Sequence, residues 1–182
     1  HGKQPTFVLM DAWVPPSAPL TRDEALHRLA LRYLQGHGPA SAADLAWWSG
    51  LTQKDAQQAL ASASSALGQE THDGTTWWWH ADAPAPSRSR AAHLLPAFDE
   101  YLIGYRDRTP VLDATQTRRV IGANGLVAAT AIIGGRVAAT WKRDIAGESG
   151  ITVEPLRALD DRDHAGIRRA AQRLRRFADE AR

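Results

Sequence analysis

Residues 98–108 carry the densest set of side chains in this 182-residue chain that can grip a phosphate. Phe98, Asp99, Glu100 and Tyr101 are followed at short range by Tyr105, Arg106, Asp107 and Arg108. A guanidinium presents a planar fork of donors that matches two phosphate oxygens at once, so Arg106 and Arg108 suit a polyanion. Tyr101 and Tyr105 are four apart and share a face if the segment is helical. Asp99 and Asp107 can orient the arginines, or steer a water in a complete enzyme. The same residues also fit an internal Asp–Arg network tying two parts of the fold together, because structural ion pairs mimic functional clusters. A second basic group is Arg136, Lys142 and Arg143, beside the Gly134–Gly135 pair. It fits a basic hairpin entering a groove. It equally fits edge cations that block aggregation.

Charge along the chain is uneven. The formal net charge is +2. Residues 1–87 hold five basic and eight acidic side chains, net −3. From Arg88 to Arg143 there are nine basic and four acidic residues, net +5. Arg157 to Arg182 is net +3. Such asymmetry predicts a polyanionic partner for the second half, duplex DNA being the fitting one; internal ion pairing with the acidic half is the competing reading. There is no Cys, which excludes disulfides, thiolate metal sites and a Cys nucleophile. The seven His residues show no metal spacing, so neither metal nor cofactor is expected. No apolar run approaches the roughly 20 residues that span a bilayer, so no membrane partner is expected and a cytoplasmic location is the simplest reading. The chain opens at His1 without an initiator Met and reads as the back part of a longer protein.

The elements that must position these groups follow from local signals. Residues 5–14 read as a strand, and Pro15, Pro16 and Pro19 form a stiff connector, giving an N-terminal unit over 1–19. Thr21 and Glu24 have capping-box spacing, and Leu26, Leu29, Ala30, Tyr33 and Leu34 make one apolar face, which predicts a first helix ended by Gly36, Gly38 and Pro39. Ser41 caps a second helix, with a tight turn at 49–52. Thr52 caps a third, with Ala56, Ala59, Leu60, Ala63 and Leu67 inward and Gly68 closing it. Asp73-Gly74 is a hairpin signal between strands 69–72 and 75–80. Three helices and a hairpin over 20–80 have the order of a winged helix-turn-helix, whose third helix can enter the major groove. Its outward Lys54 and Gln57 are the candidates there, since Gln pairs bidentately with adenine. With one Lys and no Arg, a packing role for this helix is the alternative. Trp77 and Trp79 fall on one strand face and Trp78 on the other.

Residues 81–91 are a linker by composition. From 92 to 182 the pattern predicts strands at 93–95, 118–121, 126–133, 136–143 and 151–155, a helical turn at 97–104, and a last helix from Asp160. Ile167, Ala170, Ala171, Leu174, Phe177 and Ala181 should face inward on that helix. The fold class is therefore α+β: a winged helix-turn-helix, then a small antiparallel sheet or barrel with a C-terminal helix.

Three motifs carry a family likeness. Residues 37–52, from His37 through Trp47 and Trp48 to Thr52, are the first. Residues 94–108, from Leu94 to Arg108, are the second, and 134–143, from Gly134 to Arg143, the third. Together they resemble the bacterial winged-helix DNA-binding family that includes glycosylases excising alkylated bases and unhooking interstrand crosslinks. The resemblance covers most of the chain. It implies tandem winged-helix modules followed by a C-terminal β-barrel in a protein about twice this long, of which this chain would be the last winged helix and the barrel. It also implies that the family's catalytic Gln-x-Gln or Gln-x-Asp pair lies in N-terminal domains of the same longer protein. Gln57 and Gln58 are adjacent and point about 100° apart on a helix, so they cannot act as that pair. Neither pair is expected here, nor any catalytic residue, and a DNA-glycosylase activity would belong to the longer protein.

Overall fold

The computed structural model describes residues 6–85, 89–144 and 150–180. A single helical turn, α1 (Met10–Trp13), precedes the first helical unit. That unit holds α2 (Arg22–His37), β1 (Ala40–Ser41), α3 (Ala42–Ser49), α4 (Gln53–Ser62), β2 (Leu67–His72) and β3 (Thr75–His80). The capping logic holds at each helix start. Thr21 accepts from the Glu24 amide while Glu24 Oε2 accepts from the Thr21 amide at 2.8 Å. Ser41 and Asp44 repeat this reciprocal box, and Thr52 accepts from the Asp55 amide. Each cap satisfies first-turn donors that would otherwise lack a partner. The three strands pair antiparallel in the order β1-β3-β2.

The core of this unit is Leu26, Ala30, Tyr33, Leu34, Leu45, Ala56, Ala59 and Leu60. Alanines at the α2–α4 contact let the helices approach closely. Leu34, Leu45 and Leu60 fill the space, each removing enough apolar surface from water to contribute about 2 kcal/mol. Trp78 packs on this core from β3. Gly68 does not close α4, which ends at Ser62. It lies inside β2, where a Cβ would meet the Trp79 ring at 2.5 Å. Glycine is needed there because an indole lies against the backbone.

The second unit contains β4 (Ala92–Leu95), α5 (Glu100–Ile103), α6 (Thr117–Val120), β5 (Thr130–Ile133), β6 (Arg136–Arg143), β7 (Ile151–Pro155) and α7 (Asp161–Glu180). Its four strands form one antiparallel sheet in sequence order. Ile167 and Ala171 of α7 pack with Ala92, Ile133, Ala139 and Ile151 of the sheet. A second cluster, Leu102, Leu112, Val120, Val127 and Leu156, gathers the intervening turns.

Other expectations are corrected as well. Residues 6–14 form no strand: α1 is one turn, and Phe7 is 100% and Trp13 76% exposed, with no neighbouring strand to supply a ladder. Residue 5 of that predicted strand lies outside the described residues. The 118–121 strand is instead the helical turn α6. Asp113 caps a 3-10 turn at Ala114–Gln116 by accepting from the Thr115 amide, and the helical winding continues into Thr117–Val120. Only Ile121 keeps a β contact, an isolated bridge to Val127, so the following strand shrinks to Thr130–Ile133. The sheet does not close into a barrel: β4 and β7 are both edges, and α7 rather than further strands covers the core. Finally, Phe177 is 70% exposed. The last residue of α7 packed on the sheet is Leu174, so the helix outruns the surface it covers. Ala181 lies outside the described residues.

Candidate nucleic-acid interface

Residues 99–110 act as a clasp between the two units. Asp99 caps α5, its Oδ1 accepting from the Tyr101 amide at 2.9 Å. Glu100 then meets two rings of the helical unit: Trp48 Nε1 donates to its Oε2 at 2.9 Å, and His37 Nε2 lies 3.2 Å from the same oxygen. His37 is stacked on Tyr33, with ring centroids 4.7 Å apart. Gly104 permits this approach: a Cβ there would fall 2.9 Å from the His37 ring. Tyr105 donates its hydroxyl to the His37 carbonyl at 2.9 Å, and Trp47 Nε1 donates to the Ile103 carbonyl at 2.9 Å. The Arg106 amide donates to Oδ1 of the buried Asp44 at 2.9 Å. On the other side, Tyr101 donates its hydroxyl to the Gly135 carbonyl at 2.7 Å, pinning the β5–β6 turn. Both phenols are therefore structural donors. Burial raises Tyr101, and burial, helped by the Asp44 charge, pushes Tyr105 up to about 12, so both stay protonated at neutral pH.

The cations come last in this construction. Arg106 has its backbone fixed by Asp44, while its exposed guanidinium has no partner among the described residues. Arg108 donates Nε to the Leu102 carbonyl at 2.6 Å, with its guanidinium carbon 5.5 Å from the centroid of the Trp47 ring. Arg136 donates to the Pro110 carbonyl at 2.6 Å. So Tyr101, Tyr105, Arg106, Arg108 and Arg136 meet on one loop and the turn it holds. Asp99 and Asp107 bond to their own downstream backbone instead of an arginine, Asp107 accepting from Thr109 at 2.9 Å. Lys142 and Arg143 are exposed at the far end of β6, about 20 Å from Arg136 at the usual strand rise. Lys54 and Gln57 are exposed on α4. Among the described residues no carboxylate pairs with Lys54, Arg106, Arg108, Arg136, Lys142 or Arg143. Among the described residues no group of three or more His, Asp or Glu is placed to hold a metal, and no helix is long and apolar enough to cross a membrane.

One sequence expectation needs correction at this point. The Gln-x-Asp spacing does occur once, at Gln53 and Asp55. Asp55 is committed, however: its Oδ1 takes the Arg22 guanidinium at 2.7 Å, which together with Thr52 holds its carboxyl below the usual range. Sequence reasoning gave Trp47 and Trp48 a structural or domain-interface role but missed their hydrogen-bond partners and the role of His37. The signal was present in the adjacent tryptophans, but their partners lie more than 50 residues away.

Comparison with known proteins supplies the family. The family described as DNA glycosylase AlkZ-like matches residues 1–177. No curated protein matches the chain. Among solved structures, Streptomyces sahachiroi DNA glycosylase AlkZ is similar, with a TM-score of 0.67 and 20% sequence identity. The match covers 86% of this chain and 45% of that one, so the chain spans less than half the length of this solved relative. At that identity the likeness is one of fold. With the family model spanning nearly every residue, the chain belongs to the DNA glycosylase AlkZ-like family.

Proposed function

We propose that this chain is the duplex-gripping part of an AlkZ-like glycosylase, holding DNA chiefly by its phosphates. In this reading residues 20–80 are a winged helix-turn-helix, and the chain works beside N-terminal domains of the same protein that supply base excision. The carrying observation is that Arg108 and Arg136 are held by backbone carbonyls and Arg106 through its own amide on Asp44, while none of the three guanidinium groups pairs with a carboxylate among the described residues. Cations held in this way neutralise phosphates and release counterions, which makes affinity fall steeply with salt. Lys142, Arg143, Lys54 and Gln57 would extend the contact along the duplex; Tyr101 and Tyr105 hold the loop that presents the arginines.

The test is duplex binding across a salt series. Three neutralised phosphates predict a slope of about −3 in log affinity against log salt. Arg106→Ala combined with Arg108→Ala should weaken binding at least about tenfold and flatten the slope by about two. Unchanged affinity in that double variant removes the proposal. A second reading, an interaction module, is favoured by the exposed run Phe7, Val8, Leu9, Met10 and Trp13. Exposed apolar patches of this kind mark surfaces for other domains. Absence of duplex binding at low salt would select it.

A further inference from the structure

A cleft of about 440 Å³ opens between α4 and the β2–β3 hairpin, away from every residue of the clasp. It falls within the roughly 300–1,000 Å³ of small-ligand pockets. Gln53 and Gln57 enter it from one face of α4, being four residues apart. Gln69 and Thr75 line it from the hairpin, as does Trp78, paired directly across from Gln69. None of the three glutamine amides has a side-chain hydrogen bond among the described residues, whereas neighbouring Gln58 is committed to Asp23 at 3.0 Å. The Trp78 indole N–H is also without a partner there, whereas Trp47, Trp48 and Trp141 each donate theirs.

We infer that this cleft accepts an unpaired nucleobase. Its chemistry suits one: uncharged amides that donate and accept, a hydroxyl, and an indole ring in the lining. It holds no cation, so a phosphate is a poor occupant. The cleft also connects to the clasp through a single carboxylate. Asp44 accepts from Ser41, on the cleft wall, and from the Arg106 amide. Ser41 on the cleft wall and Arg106 of the clasp thus share one buried carboxylate. The inference rests on the DNA-binding reading above for the source of the base.

Two arms separate the sources. In the first, adenosine and thymidine are titrated into the isotope-labelled chain while the Trp78 indole N–H and the Gln53, Gln57 and Gln69 amide resonances are followed. In the second, affinities are compared for a duplex carrying one unpaired adenosine and for the same duplex fully paired. We expect nucleoside-dependent shifts at Trp78, and a preference of about tenfold for the unpaired base. Gln53→Ala with Gln69→Ala should abolish that preference and leave affinity for the paired duplex unchanged, both side chains being exposed and neither belonging to the duplex-gripping set. Equal affinity for the two duplexes with no shift at Trp78 overturns the cleft and leaves backbone binding standing. Shifts at Trp78 with neither duplex bound support the cleft for free nucleosides and overturn the DNA reading.

Discussion

Arg157 places Nη1 2.7 Å from the Asp163 carboxylate, whereas Arg136 places Nη1 2.6 Å from the Pro110 carbonyl. The two bonds are similar in length and opposite in consequence. At the base of α7, Arg157 and Arg90 converge on Asp163, which is 3% exposed, and Arg119 meets Glu154 nearby on β7. Each of these arginines is balanced by a carboxylate of the same chain. In the clasp, Arg108 and Arg136 meet carbonyls and Arg106 is held only by its amide, so position is fixed while charge is kept. The partner's charge, rather than the number of arginines, separates a structural cation from one able to hold a polyanion.

The sharpest way to break this contrast is Asp163→Asn. Losing charge on a carboxylate that holds two half-exposed arginines should cost about 2 kcal/mol of stability in urea unfolding, with duplex affinity unchanged. A loss of affinity instead would mean the α7 arginines belong to the interface. The same residue carries a pH signature. The Arg157 hydrogen bond holds its carboxyl below the usual carboxylate range. Its contribution is therefore present above the unfolded value near pH 4 and lost as pH falls through the lower folded value. Acid unfolding curves of wild type and Asp163→Asn should converge below about pH 4; parallel curves would refute the assignment.

Smaller effects test the positioning side. Tyr101→Phe removes the bond to Gly135 and should cost about 1 kcal/mol of stability. Because it frees the turn carrying Arg136, it should also weaken duplex binding a few-fold; full affinity would show that Arg136 acts without that anchor. Arg119→Ala should be nearly silent, below about 0.5 kcal/mol by thermal unfolding, since its pair with Glu154 is exposed on both sides. A large loss there would show that surface pairs carry more of this fold than their exposure allows.

Much of the first unit was legible because its signals are local. The Thr21–Glu24 and Ser41 caps, the apolar stripe of α2 and the Asp73-Gly74 turn each act within a few residues, and all formed as read except that Leu29 stays outside the core. Failures began where a local pattern had competing outcomes. The β-rich residues 118–121 wind helically because the Asp113 cap starts a turn just upstream. The apolar run at 6–14 finds no partner strand. Asp99 and Asp107, spaced to reach arginines, are satisfied first by amides two residues on.

Sequence alone determined the starts of α2, α3 and α4, the Asp73-Gly74 hairpin, the absence of thiol chemistry and the basic bias of the second half, because capping, periodicity and composition need no distant partner. Tertiary structure alone decided that the sheet stays open, that Lys142 and Arg143 sit a strand's length from Arg136, and which arginines keep their charge. Those outcomes depend on groups far apart in the chain: Arg119 and Glu154 are 35 residues apart, Tyr105 and His37 are 68. Such pairs form only when the folded backbone brings them within hydrogen-bond reach, and no spacing rule encodes that.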